Sequence, residues 1–132
     1  MIEIPRPVYD EIIRHCKACY PQEACGFLSG RAARAGAFLP IENTEHSTVS
    51  YLMDPKQQMR AFERMNREKT ELLAIVHSHV ASPATPSQKD RGLAYYPDVS
   101  YVIVSLADMN RPDLRSHRIA DGQDSPEEVR IS

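Results

Sequence analysis

The feature that most constrains this chain is an unbroken apolar run, Leu72-Leu73-Ala74-Ile75-Val76, that ends in His77-Ser78-His79. A short run of branched apolar residues of this kind predicts a strand buried on both faces, at the centre of a sheet covered on each side. Successive side chains on a strand point to opposite faces, so His77 and His79 share one face with backbones roughly 7 Å apart. A single histidine at a strand end is ordinarily a hydrogen-bonded imidazole. Two on one face beside a buried strand are placed to close on one metal ion.

A proline-broken loop, Val80–Pro86, follows, and then Ser87-Gln88-Lys89-Asp90. Ser-x-x-Asp is a helix-start signature of the capping-box type, and Pro86 before it with Leu93-Ala94 after it predicts a helix from Ser87 to about Tyr95. That helix puts Asp90 in its first turn, where the returning loop can present the carboxylate to the histidines. His77, His79 and Asp90 then form a three-ligand set. Three protein ligands leave a position open, which is the catalytic form of a zinc site rather than the closed structural form. Iron and manganese also accept nitrogen and carboxylate ligands, but zinc is the expected metal.

The spaced pattern His77-x-His79, seven residues, Ser87, two residues, Asp90 resembles the signature of the JAMM metalloproteases, the MPN-plus branch of the Jab/MPN domain family. The segment Pro21-Gln22-Glu23-Ala24-Cys25-Gly26-Phe27-Leu28-Ser29-Gly30 is similar to the upstream segment in which that family carries a glutamate. Both occur in the family's order, and the likeness runs from the first helix to Ser100–Leu106. Val80 stands where relatives often have proline or threonine, which touches the loop and no ligand.

The resemblance implies an α/β fold with a mixed, curved sheet and helices on both sides, similar to cytidine deaminases. It implies one zinc per chain on His77, His79 and Asp90, Glu23 as the proton-shuttling base, and Ser87 as donor to the oxyanion. If the Ser87 hydroxyl serves the oxyanion, it is expected not to serve the helix cap with the same geometry. The implied reaction is hydrolysis of an amide or isopeptide bond. This compact chain looks like the small bacterial members that act at the Gly-Gly tail of ubiquitin-like sulfur-carrier proteins, in one case releasing cysteine. Three other readings stand beside it: a small-molecule or peptide amidase, a non-catalytic MPN scaffold, and a cupin-like dioxygenase. The scaffold would have lost the ligands, and the dioxygenase wants a further histidine from His46 or His117.

The remaining sequence fits one globular domain over residues 1–132, with 42% hydrophobic and 26% charged residues. A net charge of -2 gives no electrostatic case for nucleic acid or anionic membrane. No apolar run is long enough to span a bilayer, and the N-terminal residues lack a secretion signal's apolar core, so a cytoplasmic location is expected. The oligomeric state is open, a homodimer included. Cys16, Cys19 and Cys25 are an odd number, which argues against a disulfide framework, and they read as small reduced side chains.

Along the chain, Pro7 predicts a helix to about Tyr20, burying Val8, Ile12, Cys16 and Cys19. Cys25–Ser29 and Ala37–Ile41 predict a hairpin, with Pro40 marking an edge or bulge. Glu42–Ser50 predicts a loop or edge strand, with an exposed His46. Asp54-Pro55 predicts a second helix with Met59, Phe62 and Met65 inward and a Glu63–Arg67 pair. Tyr101–Leu106, Leu114–Ile119 and Val129–Ile131 predict three further strands, with turns at Asn110–Asp113 and Asp121-Gly122. Tyr95 and Tyr96 line a groove or cover a sheet edge.

Overall fold

The computed structural model describes residues 1–132. In chain order the elements are β1 (Ile2–Ile4), α1 (Arg6–Cys19), β2 (Cys25–Arg31), β3 (Arg34–Ile41), α2 (Pro55–Glu68), β4 (Glu71–His79), α3 (Gln88–Gly92), β5 (Ser100–Ser105), β6 (Asp113–Ala120), β7 (Gln123–Glu127) and β8 (Val129–Ile131). The strands form a single sheet in the order β7-β6-β5-β4-β2-β3-β1-β8. β4 lies near its middle, parallel to β5 and antiparallel to β2. The two ends of that order, β7 and β8, are consecutive in the chain with only Glu128 between them. The sheet must therefore curl until its ends nearly meet.

Strand alternation assigns each side chain to a helix. Leu28, Ala74 and Val76 point to the face covered by Val8, Ile12 and Cys16 of α1. Phe27, Ile75 and Tyr101 point to the face covered by Ala61 and Met65 of α2. Helices thus cover both sides of a mixed sheet, as expected. His77 and His79 have the parity of Ile75 and lie on the α2 side, while Ser78 points toward α1.

Several local expectations hold for local reasons. The Asp54 carboxylate caps α2 by accepting from the Gln57 amide at 3.0 Å, ahead of Pro55 in the first turn. Ala32 and Ala33 take positive φ and close the β2–β3 turn. Asp121 and Gly122 do the same between β6 and β7. Pro40 sits in β3 beyond the stretch that β1 reaches, since β1 meets β3 only at Arg34, so its missing N–H breaks no ladder on that side.

Other expectations are corrected. Met59 and Phe62 do not face the core: they are 63% and 42% exposed, and the buried stripe of α2 is Ala61 and Met65. Helical spacing finds a stripe but not its phase, and here small Ala61 lets the helix approach the sheet. The ion pair along α2 is Arg64–Glu68 at 2.8 Å rather than one from Glu63 to Arg67. α3 ends at Gly92, short of Tyr95. β1 and β7 carry no clear strand signal; β1 has three residues and β7 reads Gln-Asp-Ser-Pro-Glu. Both form because neighbouring strands offer them a ladder.

Candidate metal centre

The site begins with β4, which carries both histidines on one face at its C-terminal end. Their Nε2 atoms lie 3.1 Å apart. His79 is oriented from behind, its Nδ1 donating to the Pro83 carbonyl at 2.8 Å. That bond places the ring proton on Nδ1 and leaves a lone pair on Nε2. His77 is buried and stacks on Tyr51, ring centroids 4.6 Å apart. Burial depresses its basicity more than nearby Asp90 raises it, so the neutral ligand form is favoured. Burial also acts against protonated His79, but hydrogen bonds to Asp90 and Pro83 outweigh it and raise its pKa.

Asp90 arrives from α3. Its Oδ2 is 3.3 Å from His77 Nε2 and 3.0 Å from His79 Nε2. The same oxygen accepts from the Ser87 amide at 2.9 Å, completing the capping box. The helix start therefore aims the ligand. Burial pushes the carboxyl upward, but the two imidazoles more than offset it and keep Asp90 well below the usual carboxylate range.

These residues fit a metal ion. The three ligand atoms lie within 4.8 Å of one another. Bonds of about 2.0–2.1 Å in a tetrahedron place neighbouring ligands roughly 3.3 Å apart, close to the separations found. In neutral His79 the ring proton sits on Nδ1, so Nε2 and the Asp90 oxygen present lone pairs to one point, where a metal ion would take the place of the proton that bridges them in protonated His79. His77 Nδ1 is buried without a hydrogen-bond partner.

Glu23 lies in the bend between α1 and β2. It is 5% exposed rather than a solvated turn residue. Burial lifts its pKa to about 7, with the charges of His79 and Lys89 acting against the rise and that of Asp90 adding to it. Its carboxylate is thus within electrostatic reach of the triad. The bend is tied to the histidine strand from both sides of Ala24: the Ala24 amide donates to Ser78 Oγ at 2.8 Å, and the Ser78 amide donates to the Ala24 carbonyl at 3.0 Å. Asn43 Nδ2 also donates to the Glu23 carbonyl, at 3.0 Å. Ser78, Asn43 and Tyr51 were not singled out by their sequence context. For Ser78, a hydroxyl on the inward face of a buried strand was the available signal; Tyr51 and Asn43 lie in a polar loop that offers none.

The expected conflict over Ser87 does not arise. Its Oγ accepts from the Asp90 amide at 3.0 Å, using a lone pair. The hydroxyl proton stays free to donate, since a serine can accept and donate at once.

Elsewhere, Cys16 and Cys25 are buried, and burial raises both thiols to about 12. Cys25 Sγ donates to the Ile41 carbonyl at 3.3 Å, the geometry of a packed thiol rather than a nucleophile. His46 is exposed. His117 is engaged with the Ala84 carbonyl at 3.0 Å and is not part of the ligand group. The further histidine that a cupin-like dioxygenase wants is therefore not supplied. Tyr95 and Tyr96 line a cleft of about 250 Å³ beside Asp90, resolving their two readings toward the groove.

Residues 5–120 match the family model described as prokaryotic homologs of the JAB domain. The chain belongs to this JAB-domain family. A CysO-cysteine peptidase of Mycobacterium tuberculosis is 35% identical over 133 residues, covering 99% of this chain and 91% of the relative. A protein of Desulfitobacterium hafniense solved in solution is 33% identical, with a TM-score of 0.91 over 100% of this chain and 93% of the other. A Jab1/MPN domain protein from Archaeoglobus fulgidus shares the fold, with a TM-score of 0.66 at 17% identity over 99% of this chain and 97% of the other. The Jab/MPN fold expected from the sequence is the fold of this JAB-domain chain.

Proposed function

We propose that residues 1–132 act as one catalytic domain, a zinc-dependent hydrolase that cleaves an amide or isopeptide bond at the Gly-Gly end of a ubiquitin-like sulfur-carrier adduct. Carrier–cysteine is the substrate in view. The observation that carries this reading is the convergence of His77, His79 and Asp90 on one point with a buried, unpaired carboxylate, Glu23, in electrostatic reach. The mycobacterial relative is named for a substrate of this kind. Lining of the adjacent cleft by Phe27, Tyr51 and Tyr96 supports binding of an extended tail there, and glycines pass close to a site because they bring no side chain.

When bound, zinc supplies an activated water and a Lewis acid for the scissile carbonyl. Glu23 takes a proton from the attacking water. The hydroxyl adds to the glycine carbonyl carbon, and the Ser87 hydroxyl donates to the oxygen on which charge develops. Glu23 then delivers its proton to the departing nitrogen as the C–N bond breaks. The products are a carrier ending in a glycine carboxylate and a free amine. Burial prepares Glu23 for this work by raising its affinity for the proton it must hold between the two transfers.

The test is mass spectrometry of carrier–cysteine incubated with the zinc-loaded protein. Loss of mass equal to cysteine, blocked by chelator, is the expected result. Glu23→Gln should retain its zinc and its fold but lose several orders of magnitude in turnover. Hydrolysis of unrelated short peptides without preference for the carrier would replace this reading with a general amidase, and loss of zinc in Glu23→Gln would make that residue a ligand.

A further inference from the structure

The cleft beside the triad contains a cation that the chemistry above does not use. Its walls are largely apolar, including Phe27, Tyr51, Met53, Ile75, Leu93 and Tyr96, with Ser50 and Gln58 the uncharged polar residues among them. The only ionic side chains lining it are Asp90, which faces the histidines, and Lys89. Lys89 forms no ion pair, whereas its neighbour Arg91 is held by the Pro86 carbonyl at 3.1 Å and Asp124 at 3.7 Å. The Lys89 charge is nevertheless close enough to act on the Glu23 carboxylate. A cation without a carboxylate partner on the rim of this largely apolar cleft, one residue from the ligand Asp90, calls for an anion in the substrate near the bond that breaks.

The proposed substrate has one. When a single amino acid is joined through its α-nitrogen to a carrier's terminal glycine, its free α-carboxylate begins about 2.5 Å from the scissile nitrogen, two bonds away. A group that recognises that carboxylate must therefore stand next to the metal ligands, and Lys89 immediately precedes Asp90. Resting on the hydrolase reading above, we propose that Lys89 is a specificity residue that binds the free α-carboxylate of the released amino acid. It thereby favours single-residue adducts over conjugates in which that position continues as peptide. An ammonium on a flexible stem suits this task, since it supplies a point charge without demanding bidentate geometry. Lys89 is exposed at the rim of the cleft, so its ammonium is free to swing onto a bound carboxylate. A lysine-linked protein conjugate offers no carboxylate at this distance, and a C-terminal amide offers no charge.

The experiment compares two substrates on the zinc-loaded full chain: a carrier ending Gly-Gly-Cys with a free carboxylate, and the same carrier ending in the cysteine amide. The wild-type protein should favour the acid by about 10–100-fold in kcat/KM, mostly through KM, the scale of one charge-assisted hydrogen bond. In Lys89→Met the acid-to-amide ratio should fall to near one, and in Lys89→Arg most of the preference should return. Binding of the tripeptide Gly-Gly-Cys to Glu23→Gln, measured without turnover, should show the same acid preference and lose it when Lys89→Met is added. Equal cleavage of acid and amide by the wild-type protein, or an unchanged ratio in Lys89→Met, would overturn the assignment while leaving the hydrolase reading intact. Cleavage of neither substrate with zinc bound would overturn both.

Discussion

Glu127, the last residue of β7, is a buried carboxylate that holds the curled sheet together, and removing it should be severe. Its side chain is 6% exposed. Oε1 accepts from Ser100 Oγ at 2.6 Å and from Ser116 Oγ at 2.7 Å, and Oε2 accepts from Arg118 Nε at 3.0 Å. Ser100 opens β5 and Ser116 lies in β6, both themselves buried. In Glu127→Ala two buried hydroxyls lose their acceptor, each at about 1–3 kcal/mol, and Arg118 loses its partner, so the loss should be about 3–5 kcal/mol. At roughly 2.1 cal/mol/K per residue of unfolding entropy, a chain of 132 residues should melt about 10–18 °C lower.

Glu127→Gln should be far milder. A flipped amide can donate to both serine hydroxyls and accept from Arg118, so only the assistance of the charge is lost, about 1–2 kcal/mol. The pH dependence follows. Burial pushes this carboxyl upward, but Ser100, Ser116 and Arg118 outweigh burial and lower its pKa in the folded protein. Its charge therefore contributes stability that is fully present above the unfolded value of about 4.3 and is lost as pH falls through the lower folded value. Urea unfolding of the wild-type and Gln proteins should show a gap at pH 7 that closes in strong acid. A loss below 1 kcal/mol in Glu127→Ala, or a gap to Gln independent of pH, would refute the reasoning.

Other consequences are equally direct. His77→Ala, His79→Ala and Asp90→Ala should each abolish or severely reduce the expected one zinc per chain, read by elemental analysis, with the rise in melting temperature on adding zinc lost in parallel; full metal content in all three would dismiss the site. Ser87→Ala should lower the turnover of carrier–cysteine by about 10²–10³, the scale of one oxyanion donor, and near-normal turnover would confine Ser87 to its cap. Gly30→Ala should unfold the protein or destabilise it by several kcal/mol in denaturant, because a Cβ there would overlap the Arg34 carbonyl oxygen, a backbone atom that cannot move aside; ordinary stability would show that the register irregularity between Ser29 and Gly30 in the β2–β3 pairing relaxes.

The sequence by itself determined what depends on neighbours along the chain. Strand parity put His77 and His79 on one face, since alternation is a property of any extended backbone. Asp54 and Ser87 marked helix starts, since their side chains reach amides only three residues on. The spacing of His77, His79 and Asp90 marked a candidate ligand set, since few residue types bind metals, and the fold brings those three together; the roles of Glu23 and Ser87 came from resemblance. Only the tertiary structure decided what depends on distant parts of the chain. It turned Met59 and Phe62 outward, because the phase of the buried stripe on α2 is set by the sheet that α2 meets. It recruited the polar β7 and the three-residue β1, because a curling sheet supplies partners their own propensities do not demand. It buried Glu23 by tying Ala24 to Ser78 across 54 residues of sequence. It also brought Tyr51 onto His77 and left Lys89 without an ion-pair partner at the rim of a largely apolar cleft. Burial and electrostatic field are sums over everything nearby in space, and no window of sequence contains them.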